Sequence, residues 1–378
     1  MKSSITNRQL FFIIIISALS FSAARLPKIM GDTAGTGAWL VLLLAAVFFS
    51  FEIFIIVYLG YVYKGKTLFE YSKILAGKAV TYCFAALYAV YFTIMLAFII
   101  RSSADIIKAE ILYKTPIWAT MLLITSISLY AASKGLTNIG RLIEFLGLII
   151  LPIGFVLNTI TFHQGNILNI MPLFDASQKD VYIHALPSAI FGFLGFEVIT
   201  IIPFSASNGA KAIWTSILSI FVLCFFYILI VESCYVVLGV DDIVNYDYPL
   251  ITAIRRLDID VLQFAKRLDL FFIIIWLSSI FCSLSMLIFT AAEYTRRFVR
   301  KINLNILLVC ICALACFMGL LVPNSEEVGS SFLWFTTYVG LIPAFVPPFV
   351  LFILHLFRGP AARRKSEDRE QIPGGSGD

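Results

Sequence analysis

Four carboxylates in this chain sit where a carboxylate is expensive. Glu52, Glu144, Glu197 and Glu232 fall within or at the ends of long apolar runs, and an unpaired charge at the centre of a bilayer costs about 2.5–3.5 kcal/mol on insertion scales. Such groups are expected to face the protein interior. Glu197 has the most informative neighbours: it closes the run Gly192-Phe193-Leu194-Gly195-Phe196-Glu197, which precedes Pro203. A comparable run near the N-terminus, from Ser17 through Ser20, Phe21 and Ser22 to Arg25, Leu26 and Pro27, gathers small and hydroxyl residues before a proline. Both read as interruptions in a spanning helix. A break at mid-membrane leaves amide N–H groups and carbonyls that lipid cannot satisfy, so it has to face a cavity. Half-helix N-termini suit a carboxylate and freed carbonyls suit an ammonium, so the pair of breaks fits a zwitterionic amino acid. Small residues also serve close helix packing, but the proline and the polar or charged neighbour at both runs favour a binding site.

The remaining chemistry-bearing residues point to no catalytic or metal centre. No Gly-rich phosphate loop, His-Glu-x-x-His run or nucleophile elbow occurs, which argues against an enzyme. The three histidines are scattered, and the seven cysteines all lie in apolar runs, where a thiol behaves as a small hydrophobe. No cofactor and no metal are therefore expected. Lysines and arginines are dispersed between apolar runs, a pattern that does not fit nucleic-acid binding despite a net charge of +5. Glu144 follows Arg141 by three residues and reads as an intrahelical pair, Arg101 reads as a partner of Asp105 or as a gating residue, and Glu52 and Glu232 have no partner assignable from spacing. Tyr91 and Phe92, midway along the third span, are placed to wall an apolar pocket with Phe193 and Phe196. Ser283 and Ser285 are hydroxyls of the kind that can ligate sodium, or simply pack.

The elements that must position these groups follow from composition. With 60% hydrophobic residues, 13% charged residues and a mean hydropathy of +0.94, the chain has too little polar surface to coat a water-soluble globule. Its apolar runs approach twenty residues, so the spanning elements are helices rather than barrel strands. The runs cover residues 10–26, 38–61, 79–100, 117–132, 142–161, 185–204, 212–238, 268–292, 306–322 and 331–356. The expected architecture is an all-α membrane protein of about ten transmembrane helices, with breaks in helices 1 and 6 that imply a five-plus-five inverted repeat. Residues 1–357 form a single transmembrane domain, and residues 358–378 form a polar cytoplasmic tail. Placing the N-terminus in the cytoplasm puts Lys64, Lys66, Lys78, Lys134, Arg296 and the tail bases inside. It also sends Asp32, Asp105, Glu110, Asp241, Asp258, Asp260 and Glu326 outside, so both termini are cytoplasmic. The first run, although preceded by Lys2 and Arg8, reads as an uncleaved first helix because many spans follow it. The loop 241–267 has apolar residues at helical intervals and is expected to lie on the membrane surface as an amphipathic helix.

At this point the sequence resembles a known family. The run Gly65-Lys66-Thr67-Leu68-Phe69-Glu70-Tyr71, then Gly77-Lys78, is similar to the cytoplasmic loop of the permease-like B subunits of the GerA-type spore nutrient-germinant receptors. The likeness continues in order through Leu26-Pro27, Tyr91-Phe92, Lys114-Thr115-Pro116, Arg141-Leu142-Ile143-Glu144, Asn169-Ile170-Met171-Pro172 and Phe193-Leu194-Gly195-Phe196-Glu197 to Tyr248-Pro249-Leu250. The resemblance implies a member of the amino acid–polyamine–organocation superfamily with the LeuT-like ten-helix fold. It implies a ligand site between helices 1 and 6, flanked by 3 and 8. On this chain that site comprises Ser20, Phe21, Ser22, Tyr91, Gly192, Leu194, Gly195, Glu197, Ser279 and Ser283. Serine at the first break, where relatives often carry glycine, is a departure that narrows the space beside the backbone. The resemblance also implies a sensor of a nutrient, commonly an amino acid, that works in the spore inner membrane with an A subunit and a C lipoprotein. An active amino-acid permease coupled to protons or sodium is the alternative.

Overall fold

A computed structural model describes residues 5–204, 209–256, 268–299 and 301–371. Within them regular structure is helical throughout. Six helical stretches are long and apolar enough to cross a membrane, and three more apolar helices are shorter. In chain order the crossings are α1 (Asn7–Ser22) with α2 (Leu26–Ala34), α3 (Ala38–Val62), α5 (Gly77–Glu110), α6 (Ile117–Ser133) and α7 (Leu136–Gln164). The second set is α8 (Lys179–Phe193) with the 3-10 turn Phe196–Ile201, α9 (Lys211–Leu238), α11 (Leu268–Arg296), α12 (Leu304–Leu320), and α13 (Ser325–Trp334) continued by α14 (Leu341–Gln371). Two short helices lie outside this series, α4 (Leu68–Leu75) and α10 (Pro249–Arg255).

Local chemistry sets the ends. Thr6 caps α1 reciprocally with Gln9, the Glu70 carboxylate accepts from the Thr67 N–H at 2.8 Å at the start of α4, and Asn324 caps α13 through the Glu327 N–H. Pro27 does not end the first half-helix, as its position suggested; it occupies the first turn of α2, where a missing N–H costs nothing. Only three residues, Ala23 to Arg25, separate the two half-helices.

Two differences from the sequence reading have clear physical causes. The third span runs on to Glu110, so Arg101 is not at its end; its guanidinium bonds Asp105 at 3.2 Å and the carbonyls of Gly319 (2.9 Å) and Val322 (2.6 Å), capping α12 with a cation where free carbonyls gather. The expected surface helix in 241–267 is instead α10, whose Pro249, Leu250, Ile251, Ala253 and Ile254 are buried against α9, α11, α7 and α2. It covers the bundle rather than the lipid surface; residues 257–267, including Asp258 and Asp260, lie outside the described residues. Beyond the last crossing, α14 continues as backbone helix to Gln371, and residues 372–378 are outside the described set.

The centre of the bundle is α1, which packs on α7, α9, α11, α8 and the turn Phe196–Ile201, while α3 packs on α8 and α9. The last crossing carries an irregularity the sequence did not announce, a π-helical segment Phe335–Gly340 between α13 and α14. Such segments free backbone groups and are frequent at functional sites.

Candidate functional site

The two breaks meet. The second lies between Phe193 and Phe196: Leu194 is extended and Gly195 sits at φ +112, a left-handed conformation that an L side chain rarely adopts. A Cβ on Gly195 would also stand 2.8 Å from the Ser17 carbonyl and 3.3 Å from the Phe21 ring. Backbone of the sixth crossing is thus pressed against α1, and glycine is what permits it. A leucine here would force the helices apart rather than only fill a space.

Glu197 folds back onto this break. Its Oε2 accepts from the Gly195 N–H at 2.6 Å and from the Tyr91 hydroxyl at 3.5 Å, and its Oε1 has no partner. Its side chain is fully buried, as is that of Glu52 on α3, whose two oxygens are also unpartnered. Glu52 stands one turn after Phe49, whose ring packs on Phe193 (5.3 Å) and Phe196 (5.9 Å) on either side of the break, so α3 carries a second buried carboxylate along the same contact. Spacing along one chain carries no signal of such a contact between separate spans, so the sequence reading left Glu52 unassigned.

The other expected residues divide into two groups. Ser22 bonds the Tyr227 hydroxyl at 2.7 Å, and that hydroxyl donates to the Gly192 carbonyl, tying α1, α8 and α9 at the break. Ser283 donates to the Ser17 carbonyl at 3.2 Å, linking α11 to the same stretch of α1. Phe21 forms an aromatic trio with Phe191 and Phe332 at centroid distances of 5.4–5.7 Å. Leu194 lies against Gly340 at the end of the π segment. The buried Ser17 and Ser20 hydroxyls have no partner. Ser279 stands apart, since it lines a chamber on the opposite flank of α1 whose walls do not include Glu197.

Not every expected grouping forms. Phe193 and Phe196 pack on Phe49, whereas Phe92 stacks between Tyr88 (5.8 Å) and Tyr294 (6.0 Å), so the four aromatics do not make one wall. Glu144 pairs with Arg8 at the start of α1 rather than with Arg141. Ser285 donates to the Phe281 carbonyl one turn back at 2.6 Å, a helix-internal bond. Glu232, near the end of α9, is 7% exposed with both oxygens unpartnered. Among the described residues no three His, Cys, Asp or Glu side chains converge as metal ligands.

One residue the sequence reading passed over holds the first break shut. Arg25 projects from the turn between α1 and α2, and its Nη2 donates to the Ser325 carbonyl (3.1 Å), the Ser325 hydroxyl (3.0 Å) and the Tyr248 hydroxyl (3.2 Å). Its guanidinium lies over the Tyr248 ring at 5.2 Å. A Cβ on Gly329 would fall 1.6 Å from Nη1, so α13 offers bare backbone where Arg25 rests. Beyond this clasp opens a vestibule of about 260 Å³ lined by Arg25, Lys28, Asp32, Asp247 and Glu326 among others. The available signal was a lone base directly after a run of small residues in a break.

Comparison with known proteins places this geometry. The family model described as spore germination protein, the spore permease family, matches residues 4–328. The chain is 25% identical over 329 residues to Spore germination protein YndE of Bacillus subtilis (strain 168), covering 86% of this chain and 89% of that protein. It is 25% identical over 360 residues to Spore germination protein B2 (93% and 95%) and 24% identical over 386 residues to Spore germination protein KB (98% and 99%) of the same organism. Among solved structures, that of MhsT in complex with L-phenylalanine superposes with a TM-score of 0.64 over 92% of this chain and 97% of MhsT, at 12% identity. The fold is therefore the LeuT-like arrangement, ten helices in a five-plus-five inverted repeat with helices 1 and 6 interrupted. With a family model covering most of its length and full-length relatives of matching order, this multi-pass membrane protein belongs to the spore germination protein family.

Proposed function

We propose that the protein is the B subunit of a nutrient-germinant receptor and senses a small amino acid where its two breaks meet. The observation that carries the reading is the unwound Leu194–Gly195 backbone held by Glu197 beside α1, with Glu197 Oε1 and the Ser17 and Ser20 hydroxyls buried and unpartnered. Buried polar groups ordinarily find partners, and an amino acid brings an ammonium for Glu197 and a carboxylate for the freed N–H groups. Ser20, Phe21 and Ser22 contribute from helix 1, Gly192, Leu194, Gly195 and Glu197 from helix 6, and Tyr91 from helix 3, while Ser283 flanks from helix 8 and Ser279, on the far side of α1, is left out of the site. The aromatic trio of Phe21, Phe191 and Phe332 lies between this point and Arg25, so ligand entry requires those rings to part. MhsT, which shares the fold, was solved with L-phenylalanine, and amino acids are the ligand class assigned here by the chemistry of the breaks. In this reading the chain lies in the spore inner membrane with both termini cytoplasmic, Arg25 closes the external side, and the signal passes to an A subunit and a C lipoprotein.

A ligand biases such a closure only by binding one conformation better, and about 1.4 kcal/mol of difference shifts the ratio tenfold. Spores carrying Glu197→Gln keep the size and the acceptor oxygen but lose the charge facing the ammonium. Their half-maximal germinant concentration is expected to rise about tenfold or more, with receptor abundance unchanged by immunoblot. A normal dose–response would move the site elsewhere. Purified protein in liposomes given labelled amino acids separates sensor from permease: saturable, gradient-driven accumulation by the isolated subunit would establish transport instead.

A further inference from the structure

One buried phenylalanine ring carries two cations. Phe69 of α4, 4% exposed, has the Lys73 ammonium, one turn along the same helix, 4.1 Å from its ring centroid. The Arg297 guanidinium, just past the end of α11, lies 4.8 Å from the same centroid. Aromatic faces attract cations, but two like charges held on one ring also repel each other. The Tyr82 ring of α5 meets Phe69 edge-on at 5.6 Å, lies 5.7 Å from the Lys73 ammonium, and meets the Phe298 ring at 5.7 Å. An aromatic floor thus runs from Phe69 through Tyr82 to Phe298, with Lys73 and Arg297 upon it.

The nearby carboxylates are engaged elsewhere or outnumbered. Glu70 accepts from the Thr67 N–H at the start of α4, and Glu293 is shared between Arg296 (3.5 Å) and Arg297 (3.8 Å). Among the described residues no carboxylate pairs with the half-buried Lys73, so three bases share the one charge of Glu293. Beside them the chain exposes large apolar side chains, Phe298 at 47%, Val299 at 36% and Ile302 at 39%, between exposed Arg296 and Lys301 and the start of α12. Apolar groups left open to water mark an interaction surface. Where a crossing helix ends, that mixture suits the bilayer interface, with apolar groups reaching acyl chains and bases reaching headgroups. We propose that this surface binds an anionic phospholipid, its phosphate facing Lys73 and Arg297 and its acyl chains lying along Phe298 and Ile302. A soluble phosphate ester would match the bases but leave the apolar side chains in water. On the inner side Phe69 and Arg297 border a crevice with Thr200 and Tyr294. The Tyr294 hydroxyl donates to Thr200 at 2.7 Å, and Thr200 donates to the Glu197 carbonyl at 2.7 Å. The lipid therefore rests against the elements that back the second break, but its binding does not depend on the amino-acid site.

The test reports from the site itself. The full chain carrying Phe298→Trp is reconstituted in dioleoylphosphatidylcholine bilayers containing brominated phosphatidylglycerol or, separately, brominated phosphatidylcholine. Quenching of the added tryptophan is read as the difference from the parent chain with its five native tryptophans. Phosphatidylglycerol is expected to bind at this position about fivefold or more tightly than phosphatidylcholine, the attraction that one base supplies near an anionic headgroup. The preference should fall to near parity with Lys73→Gln and Arg297→Gln combined, and survive Lys73→Arg. It should also survive Lys134→Gln, which removes a base resting on the exposed Tyr130 ring elsewhere. Equal quenching by the two lipids would overturn the proposal, and that comparison needs no charge substitution, so it decides even where the double variant accumulates poorly. A preference that outlasts the double substitution, or that Lys134→Gln abolishes, would overturn it in favour of diffuse surface charge. Displacement of the brominated phosphatidylglycerol by glycerol 3-phosphate would overturn it in favour of a soluble phosphate ester. The readout is independent of any amino-acid response, so the failure of either reading leaves the other standing.

Discussion

At the scale of single residues, the site depends on what each side chain or its absence permits. Gly195 combines φ +112 with a 2.8 Å approach of its missing Cβ to the Ser17 carbonyl. Gly195→Ala is therefore expected to destabilise the protein by about 1–3 kcal/mol through backbone strain and displacement of α1, seen as a lower melting temperature of purified protein by tryptophan fluorescence. An unchanged melting temperature would mean the contact is softer than its geometry implies. Arg101 has the opposite character, since its side chain supplies what others lack. Replacing it by leucine strips the cap from Gly319, Val322 and Pro323 and leaves half-buried Asp105 without its cation. A loss of about 3–5 kcal/mol is expected, read as failure to accumulate in the membrane, whereas Arg101→Lys should retain part of the abundance because the charge survives without the fork. The Arg101–Asp105 spacing was legible in the sequence. The carbonyls it caps were not, because they lie more than two hundred residues away in the chain.

At the scale of elements, the first crossing is two half-helices joined by three residues and clasped by Arg25 to α10 and α13. If the clasp governs access, Arg25→Ala should raise the rate at which a polar thiol reagent reaches Ser20→Cys from the α10 side, by roughly tenfold, reflecting loss of charge-assisted bonds worth about 1.5–3 kcal/mol. Gly329→Val should act in the same direction by evicting the guanidinium from its seat against the α13 backbone. Labelling rates unchanged in both variants would assign Arg25 a purely structural role. Both breaks were legible from composition, since small residues, hydroxyls and prolines collect there in runs otherwise suited to helix. The π segment Phe335–Gly340 was not, because its sequence has no proline and only one glycine, at its end. Its position beside Leu194 and Tyr91 suggests that tertiary contact with the second break imposes it.

At the scale of the whole molecule, sidedness sets which compartment the Arg25 vestibule faces. In the proposed orientation, with both termini cytoplasmic, Glu326→Cys in a cysteine-free background should react with a membrane-impermeant reagent from outside intact cells, while Ser366→Cys should react only after lysis. The reverse pattern would invert the molecule and put the Arg25 vestibule inside. Glu326 is the better reporter than its neighbour Ser325, which is occupied by Arg25.

The sequence by itself determined that this chain lives in lipid, that it crosses as helices, how many times, and where two of those helices fail. Each of these follows from local composition: the length of an apolar run, a proline, a cluster of small residues, a carboxylate that lipid cannot solvate. Only the tertiary structure decided which groups meet, bringing Glu52 alongside the second break through Phe49, Glu144 to Arg8 in place of Arg141, and Arg25 to Ser325 and Tyr248, and setting Ser279 apart from Glu197 on the far flank of α1. A buried polar side chain advertises in one dimension that it needs a partner, because leaving it unpaired costs free energy. Which partner it finds depends on how helices far apart in the chain pack, and single-chain spacing does not encode that.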